Sequence, residues 1–160
     1  MGDTIMWKKI KPFAISISIA LGVGVLSALL TNKNMELYQA INRPSLSPPS
    51  WLFPAVWTVL YILMGISSAL VCREKAKESI LALLVYGIQL FVNFCWTLLF
   101  FNLRSYLFSF IWLIFLLALI LWMIYEFYRV NRLAALLQIP YFLWVLFAGY
   151  LNLMIYLLNR

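Results

Sequence analysis

The chain has 160 residues, 66% hydrophobic and 11% charged, with a mean hydropathy of +0.97 and a net charge of +7. A soluble domain is about half apolar and about a quarter charged, so this composition excludes an ordinary soluble enzyme, a disordered tail and a nucleic-acid module. A basic excess on so apolar a chain points to lipid headgroups and loop charge bias rather than to a phosphate backbone.

Ionisable residues divide the chain, because a charge at the bilayer centre is costly. Five windows carry none: Pro12 to Asn32, Pro44 to Cys72, Ser79 to Leu103, Ser105 to Tyr125 and Leu133 to Asn159, of 21, 29, 25, 21 and 27 residues. About 20 apolar residues cross a ~30 Å hydrocarbon core. Each window therefore predicts one helix, at approximately 12–31, 54–72, 79–101, 106–128 and 133–159. The expected fold is an all-α bundle of five transmembrane helices, one integral membrane domain over 1–160. The first window reads as a permanent span, since it is longer than a signal-peptide core and no convincing small-x-small cleavage site follows. The connections are short except the segment 32–53, which together with Pro54 carries four of the six prolines. Proline-rich chain cannot be helical throughout, and a long loop in a small protein is often functional.

Loop charge sets the expected orientation. Lys8, Lys9, Lys11, Arg73, Lys75, Lys77, Arg129 and Arg132 fall on the side of the N-terminus, against Lys33, Arg43, Arg104 and Arg160 on the other. Eight against four predicts the N-terminus inside and the C-terminus outside.

The helix faces carry the functional signal. The first span has Ser16, Ala20, Gly24 and Ala28 at a spacing of four, which suits close helix packing within the chain before it suits a dimer contact. The second places Trp57, Tyr61, Gly65 and Ser68 along one stripe, the third Tyr86, Gln89, Asn93, Trp96 and Phe100, and the fifth Tyr141, Trp144, Ala148 and Asn152. Gln89 and Asn93 lie deep in a span, where an amide facing lipid would go unsatisfied. They are expected in the bundle interior, either bonding between helices or lining a cavity. Trp7, Trp51 and Trp122 fit an interfacial belt, and Trp112 in its apolar helix fits a lipid-facing position. Trp57, Trp96 and Trp144 share stripes with polar or small residues, and a cavity between them would take a large, flat, mostly apolar ring.

Other chemistry is narrowed by composition. There is no His, hence no imidazole for metal binding, proton relay or ordinary haem ligation. Cys72 and Cys95 are too far apart in sequence for a metal or redox motif and read as inert small apolar residues. Asp3, Glu36, Glu74, Glu78 and Glu126 all sit at or beyond helix ends, so no mid-membrane carboxylate is available for ion-coupled transport. Glu126 and Arg129, three apart, are expected to pair at a helix end.

Four blocks together resemble the TspO/MBR family of tryptophan-rich sensory proteins, also known as translocator proteins or peripheral-type benzodiazepine receptors. They are Tyr38-Gln39-Ala40-Ile41-Asn42-Arg43-Pro44-Ser45-Leu46-Ser47-Pro48-Pro49, then Phe53-Pro54-Ala55-Val56-Trp57 with Leu60 to Gly65, then Gln89 to Trp96, then Pro140-Tyr141-Phe142-Leu143-Trp144 running on to Asn152. The resemblance spans Tyr38 to Asn152 in order. It implies a five-helix bundle whose first loop caps a ligand pocket. It implies binding of porphyrins, above all protoporphyrin IX, and of sterols and synthetic isoquinoline and benzodiazepine-type ligands. No cofactor is required, porphyrin being ligand or substrate. The implied pocket residues are Tyr38, Pro49, Trp57, Asn93, Trp96, Trp144 and Ala148, to which the stripe and the loop charge add Tyr61 and Arg43. Trp57 and Trp144 are the residues the resemblance ties to light-dependent porphyrin degradation. The implied location is a bacterial cell membrane, or the mitochondrial outer membrane in a eukaryote.

Leu46 stands where the family often has Trp, and Leu84 and Ile88 stand where a small-residue pair supports a homodimer in some members. Leu151, Tyr156 and Arg160 satisfy a loose sterol-recognition pattern. Three functions remain open at this point: a porphyrin sensor that can also destroy its ligand in light, a porphyrin or sterol carrier, and a ligand-modulated regulatory scaffold.

Overall fold

The computed structural model describes residues 2–34 and 40–160, and the side chains of all of these except 2–6, 8, 9 and 33. It is helical, with no strand among the described residues. The order is α1 (Gly2–Thr31), a 3-10 turn (Asn32–Asn34), α2 (Leu52–Glu74), α3 (Glu78–Thr97) continued by a π-helical turn (Leu98–Asn102), α4 (Tyr106–Val130), α5 (Arg132–Leu136) and α6 (Ile139–Leu158). Five stretches are long and apolar enough to cross a membrane: Ile10–Thr31, Leu52–Glu74, Glu78–Asn102, Tyr106–Val130 and Arg132–Leu158. An odd number of spans puts the two ends of the chain at opposite faces.

The expected helices are found with three differences. α1 begins at Gly2 rather than near residue 12. Pro12 removes one ladder donor, yet the helix runs through it, so the polar N-terminal turns lie outside the apolar stretch. The fifth span is broken at Leu137 and Gln138. Pro140 has no N–H with which to continue α5, and it sits instead in the first turn of α6, where none is needed. The third span ends in a widened turn, its i+5 bond closing from Leu103 N–H to the Leu98 carbonyl at 3.0 Å. Such single π turns recur at functional sites.

α1 packs on α2, α3 on α4, and α4 on α6, while α5 tucks under α2 and α4. Gly65 makes the first contact possible, because a Cβ there would run into the backbone of Ile17. The small-residue stripe of α1 thus serves packing within the chain: Ala20 is fully buried, and a Cβ on Gly24 would meet the Tyr61 ring at 2.5 Å. Trp112 departs from its expected lipid-facing position. It is half-buried, and its indole N–H donates to the Val92 carbonyl at 2.8 Å, tying α4 to α3. The expected Glu126–Arg129 pair forms at 3.0 Å, and Trp122 donates to the same carboxylate at 3.1 Å.

The segment after α1 is pinned at both ends. Asn34 donates to Asn102 at 2.8 Å, and Asn102 donates to the Leu30 carbonyl at 3.2 Å. Asn42 and Asn159 exchange two bonds, from Asn42 N–H at 3.1 Å and to the Asn42 carbonyl at 2.8 Å. These bonds tie the described residues Asn34 and Asn42 to the ends of α1, the π turn and α6.

Candidate functional site

At the end of the bundle where α1 finishes and α2 begins, the helices line a cavity of about 370 Å³, within the ~300–1,000 Å³ of small-molecule sites. Its depth follows from which helix ends contribute: the C-terminal part of α1, the N-terminal turns of α2, the end of α3 with its π turn, and the C-terminal half of α6. All of these lie at the loop's end of the bundle.

Six rings form the wall: Phe53, Trp57, Tyr61, Trp96, Phe100 and Phe101. Trp57 is central. Its centroid is 5.6 Å from Tyr61 and 6.4 Å from Trp96, each pair tilted by 32°. Trp96 continues the series to Phe100 at 5.7 Å and 34°. Three successive ring pairs thus share nearly the same tilt, while Phe100 meets Phe101 edge-on at 4.9 Å and 77°. Phe100 and Phe101 are sequence neighbours, which an ordinary helical turn would point about 100° apart; the widened turn lets both line the cavity.

The wall's hydrogen-bonding capacity is mostly spent. Thr31, Thr58 and Thr97 donate their hydroxyls back to carbonyls of their own helices, on Ser27, Pro54 and Phe94, at 2.8, 2.8 and 2.6 Å. Asn152 accepts from the Trp96 indole at 3.3 Å and donates to the Tyr106 carbonyl at 2.7 Å. Asn93 donates to the Tyr61 hydroxyl at 3.2 Å. What remains for a ligand is mainly rings and methyl groups, with the buried Ser27 hydroxyl and the Asn32 amide as polar points in the lining, so the cavity recognises shape and polarisable surface before it recognises polar groups.

The structure brings some expected residues together and not others. Trp57, Tyr61, Trp96 and Ala148 line the cavity. Asn93 stands one layer behind Tyr61, and Gln89 accepts from Tyr141 at 2.8 Å, both amides fully buried. Of the two readings left open for them, bonding between helices is the one seen. Arg43 and Pro49 are exposed on the loop and are not part of the lining. Tyr38 lies outside the described residues. Trp144 faces the other way, into a groove between α2 and α6. Leu151 of the loose sterol pattern is buried and turned into the cavity, so the pattern does not form one exposed face.

Sequence reasoning missed Phe53, Phe101, Leu151 and the contribution of α1, where Leu21, Gly24 and Ala28 close one side. A signal for α1 existed, since its small residues leave room opposite Tyr61. No periodicity marks the π turn.

Comparison with known proteins gives one consistent result. The chain is 38% identical to the tryptophan-rich protein TspO of Chlorobaculum tepidum, over 96% of this chain and 99% of that one. It is 35% identical to the protein of the same name from Archaeoglobus fulgidus, over 90% and 94%. With the human translocator protein it shares 30% identity over 91% and 87%. The pattern of the TspO/MBR family matches residues 14–158, from the first span through the last, and the chain belongs to that family.

Proposed function

We propose that the protein is a membrane receptor for flat tetrapyrroles of the protoporphyrin IX type, which it holds in the ring-walled cavity. One observation carries the reading: the continuous series Tyr61, Trp57, Trp96 and Phe100, with similar tilts, in a lining that has no charged side chain. Offset stacking on such a wall contributes ~0.5–1.5 kcal/mol per ring beyond area burial, and a macrocycle is broad enough to contact several of these rings. The cavity sits at the loop's end of the bundle, so a ring edge bearing carboxylates would point to the headgroup side, where their charge is solvated. An isolated charge in the bundle core would be costly.

The chemistry available to a bound porphyrin is its own. Among the described residues no group of three His, Cys, Asp or Glu is placed to hold a metal, and the cavity lining includes no Asp, Glu, Lys or Arg. Light absorbed by the macrocycle can be followed by electron donation from an indole, and Trp57 is the indole at the centre of the wall. The protein then supplies position and an oxidisable neighbour.

The test is equilibrium titration of the protein in phosphatidylcholine nanodiscs with protoporphyrin IX, read by the Soret shift and by tryptophan quenching. Ala148→Phe puts a ring into the cavity and should lower affinity at least tenfold while the melting temperature shows that the protein folds. Unchanged affinity in a folded Ala148→Phe protein overturns the assignment of the ligand to this cavity.

A further inference from the structure

The inner face of α3 carries three polar side chains in a row, Tyr86, Gln89 and Asn93, which recur at helical spacing and share one face. All three are buried, the two amides completely. Each amide spends one half on a phenol. Gln89 accepts from Tyr141 at 2.8 Å, and Asn93 donates to the Tyr61 hydroxyl at 3.2 Å. The other halves, Gln89 Nε2 and Asn93 Oδ1, have no partner among the described residues, and neither do the hydroxyls of Tyr86 and Ser27. These atoms lie along one line through the bundle. Tyr141 of α6 is within electrostatic reach of both Tyr61 of α2 and Tyr86 of α3. Ser27 stands beside Tyr61, and Ser68 beside Tyr86.

The unspent atoms define what can satisfy them. Gln89 Nε2 only donates, Asn93 Oδ1 only accepts, and the two hydroxyls do both. A bare cation is repelled by the amide N–H groups and an anion by the amide oxygen. Gln89, Asn93, Tyr86 and Ser27 are all uncharged, so they provide no counter-charge for either ion. A small neutral molecule that both donates and accepts fits this set. The rise from Gln89 to Asn93 is ~6 Å, which two hydrogen bonds of ~2.9 Å placed end to end would span. That is the reach of a single water molecule. Buried water characteristically makes about three bonds to polar groups that would otherwise go unsatisfied.

We propose that the inner face of α3 is a binding site for a short row of water molecules, one bridging Gln89 Nε2 to Asn93 Oδ1 and the next reaching the Tyr86 hydroxyl. The row begins at Tyr61 and Ser27, both in the cavity lining, so water enters from the cavity. It ends at Tyr86, whose ring meets Phe127 at 6.0 Å, where the apolar packing of α4 closes the way. Beneath the aromatic wall the bundle therefore has a wet shaft that stops halfway. The water also links three helices in mid-membrane, because Tyr61 belongs to α2 and Tyr141 to α6. It reaches the wall from behind, since the Tyr141 ring lies 6.3 Å from Trp57.

X-ray footprinting tests the site directly, because a short pulse splits bound water into hydroxyl radicals that modify the side chains beside it. Full-length protein in phosphatidylcholine nanodiscs is irradiated and the modified residues are mapped by mass spectrometry. Tyr141 and Met123 are both 0% exposed, and a thioether is readily oxidised by radicals. Tyr141 and Tyr86 should nevertheless be modified several-fold more than Met123. Gln89→Met, close in size, removes the donor and should lower modification of Tyr141 and Tyr86 several-fold, with a melting curve to show that the protein folds. Tyr86→Phe removes only the lower hydroxyl, and should lower modification at residue 86 several-fold while Tyr141 keeps its own. Tyrosines modified no more than Met123 in the parent protein overturn the proposal, and that comparison needs no variant to fold. Modification unchanged in a folded Gln89→Met protein overturns it too. Neither measurement uses porphyrin, so the outcome is independent of whether protoporphyrin IX binds the cavity.

Discussion

The two ends of the bundle are built on different principles. At the loop end, helices meet through aromatic rings around open space. At the opposite end they are packed solid and stapled by polar side chains: Met64, Val71, Ile120, Met123 and Phe127 are fully or almost fully buried. There Ser67 donates to the Ala134 carbonyl at 2.6 Å, Ser79 to the Val71 carbonyl at 3.1 Å, and Asn131 to Glu74 at 2.7 Å while capping α5. In lipid the hydrophobic effect does not separate one apolar helix face from another, so association rests on packing and interhelical bonds. The packed end can therefore hold the helices while the loop end gives up packing for a cavity. Stability and binding should respond to different residues.

The largest expected effect is on the contact that holds α1 against both regions. Gly65→Val would force α1 off α2, because the obstacle at Gly65 is the Ile17 backbone and not the end of a flexible side chain. Overpacking of this kind costs ~1–3 kcal/mol and more where backbone must move. Thermal unfolding in detergent should show a loss of many degrees, and porphyrin affinity should fall with it, since α1 also walls the cavity. Gly87→Val is the control: a Cβ there meets nothing within 4 Å and should leave both readouts near the parent values.

A second pair of substitutions separates the inner cavity from the outer groove between α2 and α6. Trp57 is central to the inner wall and Trp144 lines the outer groove. With protoporphyrin IX bound and illuminated, Trp57→Phe should slow bleaching at least several-fold while retaining much of the affinity. Trp144→Phe should slow it less. Equal slowing, followed in the Soret band under the same light dose, would mean that the ligand contacts both indoles.

How much of this was legible in the sequence depends on what periodicity encodes. The five spans follow from where charges are absent, and the burial of Gln89 and Asn93 follows from the cost of an amide in hydrocarbon. Trp144 shows the limit. Its spacing groups it with Tyr141, Ala148 and Asn152, but a residue three positions on from Tyr141 is rotated by about 60° from it, whereas positions seven and eleven residues on fall within about 20°. Trp144 is therefore at the edge of its stripe, and a modest rotation of α6 decides which space it faces. Periodicity fixes which residues share a face, not which neighbour that face meets. The π turn is illegible for another reason: Asn102 at its end bonds Leu30 and Asn34, 72 and 68 residues away, which no local pattern announces.

The packed end also contains a flaw that sharpens the contrast. Gln138, at the break before α6, is fully buried, and neither atom of its amide has a partner among the described residues. A buried polar group left unsatisfied costs ~1–3 kcal/mol. Gln138→Leu, of similar size, should raise the melting temperature by a few degrees and leave porphyrin affinity unchanged. A lower melting temperature would mean that the amide holds ordered water or turns to a partner in the membrane.

The smallest effect is expected outside both regions, on the loop. Arg43 is exposed there, and its guanidinium is a cation that the propionates of a porphyrin can meet. An exposed ion pair contributes ~1 kcal/mol or less and is screened by salt. Arg43→Gln should therefore weaken protoporphyrin IX binding by no more than a few-fold at low ionic strength, and by less at 0.5 M salt. The dimethyl ester of the same porphyrin has no carboxylate charge, so its affinity should not depend on residue 43. If the ester loses as much affinity as the diacid, Arg43 acts by shaping the loop above the cavity, and charge plays no part in how the loop meets the ligand.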